Sequence, residues 1–212
     1  SSRHKECMVR VLLVHGLGRT ALSMFPLAVH LQLQGHRFTF FSYCAALERW
    51  EAIRLRLRRR LTEMDSAGPD YVLVGHSLGG LLLTDVVGEL AAQISPRHLF
   101  TLGTPVQPPR LLTTAMRFRL YRLLTGEAGK RLCHADNYRF ASLPCPWTAL
   151  CGTAGWQQGG WSFFDEPNDG LLALSEACPP SATETVLVSS SHTFMMSAAA
   201  VKARIASALI DH

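Results

Sequence analysis

No stretch of this chain stays apolar for long enough to cross a bilayer. Apolar runs such as Val72–Val74 and Leu81–Leu83 fall far short of the ~20 residues a spanning helix needs. Charge is scarce as well: 17% of the 212 residues are charged and 48% are apolar, the reverse of a disordered composition. A chain of this length buries about 70% of its unfolded surface, so folding calls for neither a disulfide nor a metal. Metal-ligand spacing is also missing. The six cysteines (Cys7, Cys44, Cys133, Cys145, Cys151, Cys178) include no Cys-x-x-Cys pair, and buried free thiols are the expectation. The opening Ser1-Ser-Arg-His-Lys5 has no apolar signal core, which leans the expectation toward the cytoplasm.

What charge there is leaves a formal +5, and much of the excess sits in Arg54-Leu-Arg-Leu-Arg-Arg-Arg60. A basic run of this kind can attract nucleic acid or anionic lipid. Here, however, Trp50, Ile53, Leu57, Leu61 and Met64 recur every three or four residues, so the arginines fill the solvent side of an amphipathic helix. No nucleic-acid partner is expected.

Apolar strands alternate with helices along the chain. Strands are expected at Val9–Val14, Phe38–Tyr43, Tyr71–Val74, His98–Leu102, Trp147–Cys151 and Glu184–Val188. Helices are expected at about 22–34, 47–64, 78–93 and 194–210. Strands apolar on both faces indicate a mostly parallel sheet of about six strands covered by helices on both sides. Residues 1–212 read as one domain. Residues 106–146 break the alternation, with an amphipathic stretch at Leu111–Leu124, and read as an inserted cap or lid.

In such sheets ligands bind beyond the carboxyl ends of the strands, and the chemistry-bearing residues cluster there. Gly75-His76-Ser77-Leu78-Gly79-Gly80 lies between a buried strand and a helix. That is the context in which G-x-S-x-G makes a serine nucleophile on a tight turn. The N–H of Leu78 and that of Leu17, in His15-Gly16-Leu17-Gly18, are placed as two donors for an oxyanion. Gly16-x-Gly18-x-x-Ala21 also fits a dinucleotide fingerprint, but no carboxylate follows at the end of the second strand before Glu48, and that reading fails. A serine needs a base, and the base an orienting acid. His192 follows the last strand, whereas His134 has no adjacent strand to aim it. Asp165, Glu166 and Asp169 all qualify by position as the acid. Asp169 is preferred because the Asn168-Asp-Gly170 turn holds a carboxylate at a fixed angle. His15 and His76 flank the oxyanion donors and read first as hydrogen-bonders that brace those loops. Together with Leu111 and Met116 they are the remaining candidates for contact with substrate.

Val14-His-Gly-Leu-Gly18, Gly75-His-Ser-Leu-Gly-Gly80, Leu102-Gly-Thr-Pro105, Asn168-Asp-Gly-Leu171 and Ser191-His192 occur in the order seen in the compact bacterial lipases of the α/β-hydrolase superfamily, which this chain resembles. The resemblance implies an α/β-hydrolase fold, with Ser77 as nucleophile, Asp169 as acid, His192 as base, and Leu17 and Leu78 as oxyanion donors. It implies hydrolysis of a small-molecule or lipid ester without cofactor or metal, with peripheral contact to a lipid surface as a further expectation. An acyltransferase or thioesterase using the same residues is an alternative. So is a catalytically silent relative that binds an apolar ligand.

Overall fold

A computed structural model describes residues 8–138, 140, 142–155 and 163–210. Six strands form one parallel sheet: β1 (Arg10–Val14), β2 (Arg37–Phe41), β3 (Tyr71–His76), β4 (His98–Leu102), β5 (Trp147–Gly152) and β6 (Glu184–Val188). Their order across the sheet is β2-β1-β3-β4-β5-β6. The chain therefore turns one way from β1 to β2 and the other way from β3 onward. The loops after β1 and β3 diverge, leaving a crevice between them at the carboxyl edge.

The central strands are buried on both faces, which explains their unbroken apolar runs. Leu12, Val14 and Leu73 point to one layer, where they meet α2 (Trp50–Ser66) and α3 (Leu78–Glu89). Val11, Leu13, Val72 and Val74 point to the other, against α1 (Phe25–Leu33) and α7 (Ala199–Ile210). The stripe expected on α2 is fully formed, with Trp50, Ile53, Leu57, Leu61 and Met64 all buried.

The arginines of α2 are largely matched by carboxylates. Arg54 bonds Glu51, Asp85 and Glu89 at 2.7–2.9 Å, Arg56 bonds Glu48, and Arg58 bonds Glu89. The run thus ties α2 to α3 and to the loop after β2, and presents little unpaired charge.

Several boundaries differ from the sequence expectation. The second strand ends at Phe41, because Tyr43 turns inward to stack on His15 with ring centroids 4.4 Å apart. The helix expected at 22–34 is a 3₁₀ turn at Ala21–Met24 followed by α1, with Pro26 in the first turn of α1 where its missing N–H does no harm. Phe194 lies in a 3₁₀ turn, His192–Ser197, which the extended backbone of Ala198 separates from α7. The connection from β4 to β5 holds α4 (Arg110–Ala115) and α5 (Arg119–Leu132), so the amphipathic stretch is two helices, and α5 itself breaks at Gly126 with φ 59°. A short α6 (Leu174–Ala177) precedes β6. The five described cysteines are free, but only Cys151 is buried and Cys44 is exposed, so the expectation of buried thiols is corrected. Cys7 and the Ser1–Lys5 segment lie outside the described residues. Among the described residues no helix is long and apolar enough to cross a membrane, and no cluster of side chains could hold a metal ion.

Packing, rather than charge, is expected to hold α2 in place. Leu57→Ala should cost about 2–5 kcal/mol in urea unfolding, and Arg54→Ala about 1 kcal/mol or less. A larger loss for the arginine variant would reverse that ranking.

Candidate active site

Ser77 sits between β3 and α3 with φ 53° and ψ −121°, and it is the sole non-glycine residue with positive φ among those described. A non-glycine residue held in such a conformation costs about 1–3 kcal/mol and persists only where its surroundings over-determine it. Here they do. The Ser77 N–H donates to the Leu102 carbonyl at 2.9 Å, and the Thr104 hydroxyl donates to the Ser77 carbonyl at 3.1 Å. The glycines around it are required by space. A Cβ at Gly75 would strike the backbone of Gly79 and Gly80, and one at Gly79 the carbonyls of Val14 and His15.

The loop after β1 comes directly against this turn: a Cβ on Gly16 would lie 3.0 Å from the Cβ of Ser77. Leu17 follows in that loop, and Leu78 is the first residue of α3, whose N–H has no intrahelical acceptor. Neither N–H donates to a protein acceptor among the described residues. His15 braces this loop from behind. Its Nδ1–H donates to the Gly16 carbonyl at 2.9 Å, its Nε2 accepts the Tyr43 N–H at 3.3 Å, and the Tyr43 hydroxyl donates to the His15 carbonyl at 2.9 Å. Burial lowers the His15 pKa, opposed in part by the bond to Gly16.

His192 and Asp169 arrive on separate loops and are joined twice. His192 Nδ1 donates to Asp169 Oδ2 at 2.6 Å, and the His192 N–H donates to the Asp169 carbonyl at 2.8 Å. The other oxygen, Oδ1, accepts the N–H groups of Leu171 and Leu172 at 2.9 and 2.7 Å. All of this is buried, with side-chain exposures of 6% for His192 and 1% for Asp169. Asn168 Oδ1 accepts the Gly170 N–H, closing the turn that the sequence suggested. Asp165 is exposed, and Glu166 bonds Arg110 and Ser175. The carboxylate facing His192 is therefore that of Asp169. With Nδ1 engaged, Nε2 of His192 keeps its lone pair.

Ser77 and His192 face one cavity of about 310 Å³. No hydrogen bond joins the serine hydroxyl to the imidazole among the described residues. The remaining wall is largely apolar and includes Leu17, Leu111, Leu112, Ala115, Tyr121 and Leu132. Of the candidates for substrate contact, Leu111 and His76 line this cavity. His15 braces the loop instead. Met116 is turned away from the cavity wall, and its sulfur takes the Thr125 hydroxyl at 3.4 Å.

Three features escaped the sequence reading. His76 is fully buried, its Nε2 donates to the His192 carbonyl at 2.9 Å, and its Nδ1 has no partner. Burial, and then the neighbouring His192, push its pKa well down, so the ring stays neutral. Gly103, with φ 52°, lies beneath the base and acid; a Cβ there would stand 3.0 Å from His192 Nδ1 and 3.1 Å from Asp169 Oδ2. The Leu102-Gly-Thr-Pro105 motif was its signal. Finally, Glu176 is fully buried. Its Oε1 accepts both the backbone and the Nε of Arg110 at 2.8 and 2.9 Å, and its Oε2 accepts the Ala173 N–H at 3.0 Å. It clasps the start of α4 to the loop that carries Asp169. Its place before Ala177-Cys178 gives no hint of this in sequence.

Comparison with known proteins agrees with the fold. A family model described as "Alpha/beta hydrolase family" matches residues 11–205. Among solved structures, the mature form of the lipase BlEst2 from Bacillus licheniformis is similar, with a TM-score of 0.72 at 19% identity over 96% of this chain and 92% of that one. The thioesterase RedJ of the prodiginine biosynthetic pathway in Streptomyces coelicolor is also similar, with a TM-score of 0.62 at 20% identity over 95% and 89% of the two chains. The type II thioesterase BorB from the borrelidin biosynthetic cluster gives 0.60 at 19% identity over 99% and 94%. No curated protein matches. With the six-stranded parallel sheet already described, the match over residues 11–205 settles the family: the chain belongs to the alpha/beta hydrolases.

Proposed function

We propose that the protein is a serine hydrolase of carboxylic esters with apolar acyl chains. The observation that carries this reading is the buried Asp169–His192 pair, whose imidazole shares a cavity with a serine held at positive φ. Ser77 Oγ attacks the carbonyl carbon while its proton passes to His192 Nε2, and the carbonyl oxygen becomes an anion facing the N–H groups of Leu17 and Leu78. The C–O bond to the leaving alcohol then breaks, and His192 returns the proton to that oxygen, leaving an ester on Ser77. Water repeats the steps and releases the acid. The serine–histidine link closes when substrate is seated, since such bonds are often long before binding and tighten in the complex. Asp169 holds the imidazole in the required tautomer and stabilises the imidazolium.

Residues 106–146 act as a cap. Its inner side, from Leu111 to Leu132, lines the cavity, and the size and apolarity of that wall favour an acyl chain over a charged group. On its outer side Phe118, Leu120, Leu123 and Leu124 are exposed among Arg117, Arg119 and Arg122, which supports contact with a lipid surface. A thioesterase reading shares every step except the leaving group, and the likeness to two thioesterases keeps it as the second reading.

A fluorophosphonate probe should label Ser77, and Ser77→Ala should abolish both labelling and hydrolysis of p-nitrophenyl esters. Modification of a different residue overturns the assignment. Asp169→Asn should lower kcat by about 10⁴, because the amide favours the wrong tautomer, while Asp165→Asn should stay near wild type. Equal losses at the two positions would remove Asp169 from its role. Glu176→Gln should cost about 1–3 kcal/mol of stability through the unpaired groups it leaves. It should also slow long-chain esters more than short ones; a uniform effect across chain lengths would separate the clasp from the cap.

A further inference from the structure

A second depression reaches the oxyanion loop from the other side. A groove of about 490 Å³ is lined by Thr20, Ser42, Tyr43, Cys44 and Glu48, and shares Gly16 and Arg19 with the Ser77 cavity. The two differ in wall chemistry. The cavity is mostly leucine and proline, whereas the groove mixes Ala45, Ala46 and Leu124 with the hydroxyl residues Thr20 and Ser42, the Cys44 thiol and the Glu48 carboxylate.

Arg19 stands where they meet. Its Nη2 donates to the Thr193 hydroxyl at 2.9 Å, one residue beyond His192, and it forms no ion pair among the described residues. Its charge is also felt at His76, next to the nucleophile, whose pKa it helps to lower. The arginines of α2 offer a contrast, since Arg54, Arg56 and Arg58 each have a carboxylate. Glu48, the acid on the groove wall, is already neutralised by Arg56 at 2.6 Å and bonded to the Cys44 N–H. The net charge offered to a ligand in the groove is that of Arg19.

A carbonyl held over Ser77 with its oxygen toward Leu17 and Leu78 must send its two substituents in opposite directions. The acyl chain takes the apolar cavity, and the leaving group crosses the Gly16–Arg19 loop into the groove. We propose that the groove is a leaving-group subsite, and that Arg19 selects esters or thioesters whose leaving alcohol or thiol carries an anionic group, a phosphate or a carboxylate. This rests on the acyl-enzyme reading above and adds to it the chemistry of the second half of the substrate.

Two chromogenic esters with the same acyl chain test it: 4-nitrophenyl butyrate and 3-carboxy-4-nitrophenyl butyrate. The quantity read is the ratio of kcat/KM for the anionic ester to that for the neutral one. Arg19→Ala should lower this ratio about tenfold, the loss of one charge-assisted contact. Arg19→Glu should lower it further, and Arg19→Lys should retain most of it. Added salt should lower the ratio for wild type and leave it flat for Arg19→Ala. A ratio that stays within about twofold across all three variants, with the neutral ester still turned over, overturns the subsite alone. If wild type hydrolyses neither ester, the acyl-enzyme reading fails and the subsite falls with it.

Discussion

The backbone of Ser77 is the constraint from which the rest of the site follows. A serine at φ 53° is stable only when both flanks are fixed, and here the flanks are a fully buried strand and a helix whose first turn packs against β1 through Gly79. Each glycine in Gly75-x-x-x-Gly79-Gly80 marks a contact with no space for a methyl group. The strained turn and the close packing of α3 on β1 are thus one requirement. That packing also brings the loop after β1 beside Ser77, so the placement of the two unpaired N–H groups is a by-product of seating the serine. The strand order contributes the crevice itself, because β1 and β3 are neighbours whose outgoing loops diverge.

Asp169 and His192 form a second unit, built differently. Asp169 and His192 are 23 residues apart and lie on loops after β5 and β6. They meet because side chain bonds side chain and backbone bonds backbone in the same pair of residues. Gly103 and Gly152 make room beneath them; a Cβ on Gly152 would lie 2.7 Å from the Cβ of Asp169. His76 joins this unit to the serine turn through the His192 carbonyl. A neutral, buried histidine suits that task, since a second positive charge beside the imidazole would oppose the imidazolium that must form.

The architecture was legible because its signals are short-range or periodic. Strands buried on both faces, the stripe on α2 and the glycine pattern around Ser77 are each dictated by local sterics and burial, and each appears where the residues indicate. Asp169 was distinguishable from Asp165 by its turn, Asn168-Asp-Gly170, and the structure buries the first while exposing the second. What was not legible depends on distant partners. Short-range rules put a glutamate such as Glu176 on the surface, yet an arginine 66 residues away in sequence allows it to be buried. Met116 was placed by the period of the amphipathic stretch, but a side chain's direction is set by its neighbours, here Thr125. The amphipathic stretch at Leu111–Leu124 has one period but two helices, so its later leucines face outward rather than into the cavity.

The clasp at Glu176 has a bearing on how this scaffold could diversify. It fastens the point where the β4–β5 connection leaves the sheet, through Arg110 at its side chain and through the Val106 N–H at its backbone carbonyl. The stretch from Leu111 to Leu132 lies downstream of the fastening; Leu111, Leu112, Ala115, Tyr121 and Leu132 contribute to the cavity wall, and none of the stretch bonds Asp169 or His192 among the described residues. The stretch is therefore a replaceable module: recombination or redesign between those positions can resize the chamber while Ser77, Asp169 and His192 beneath keep their geometry.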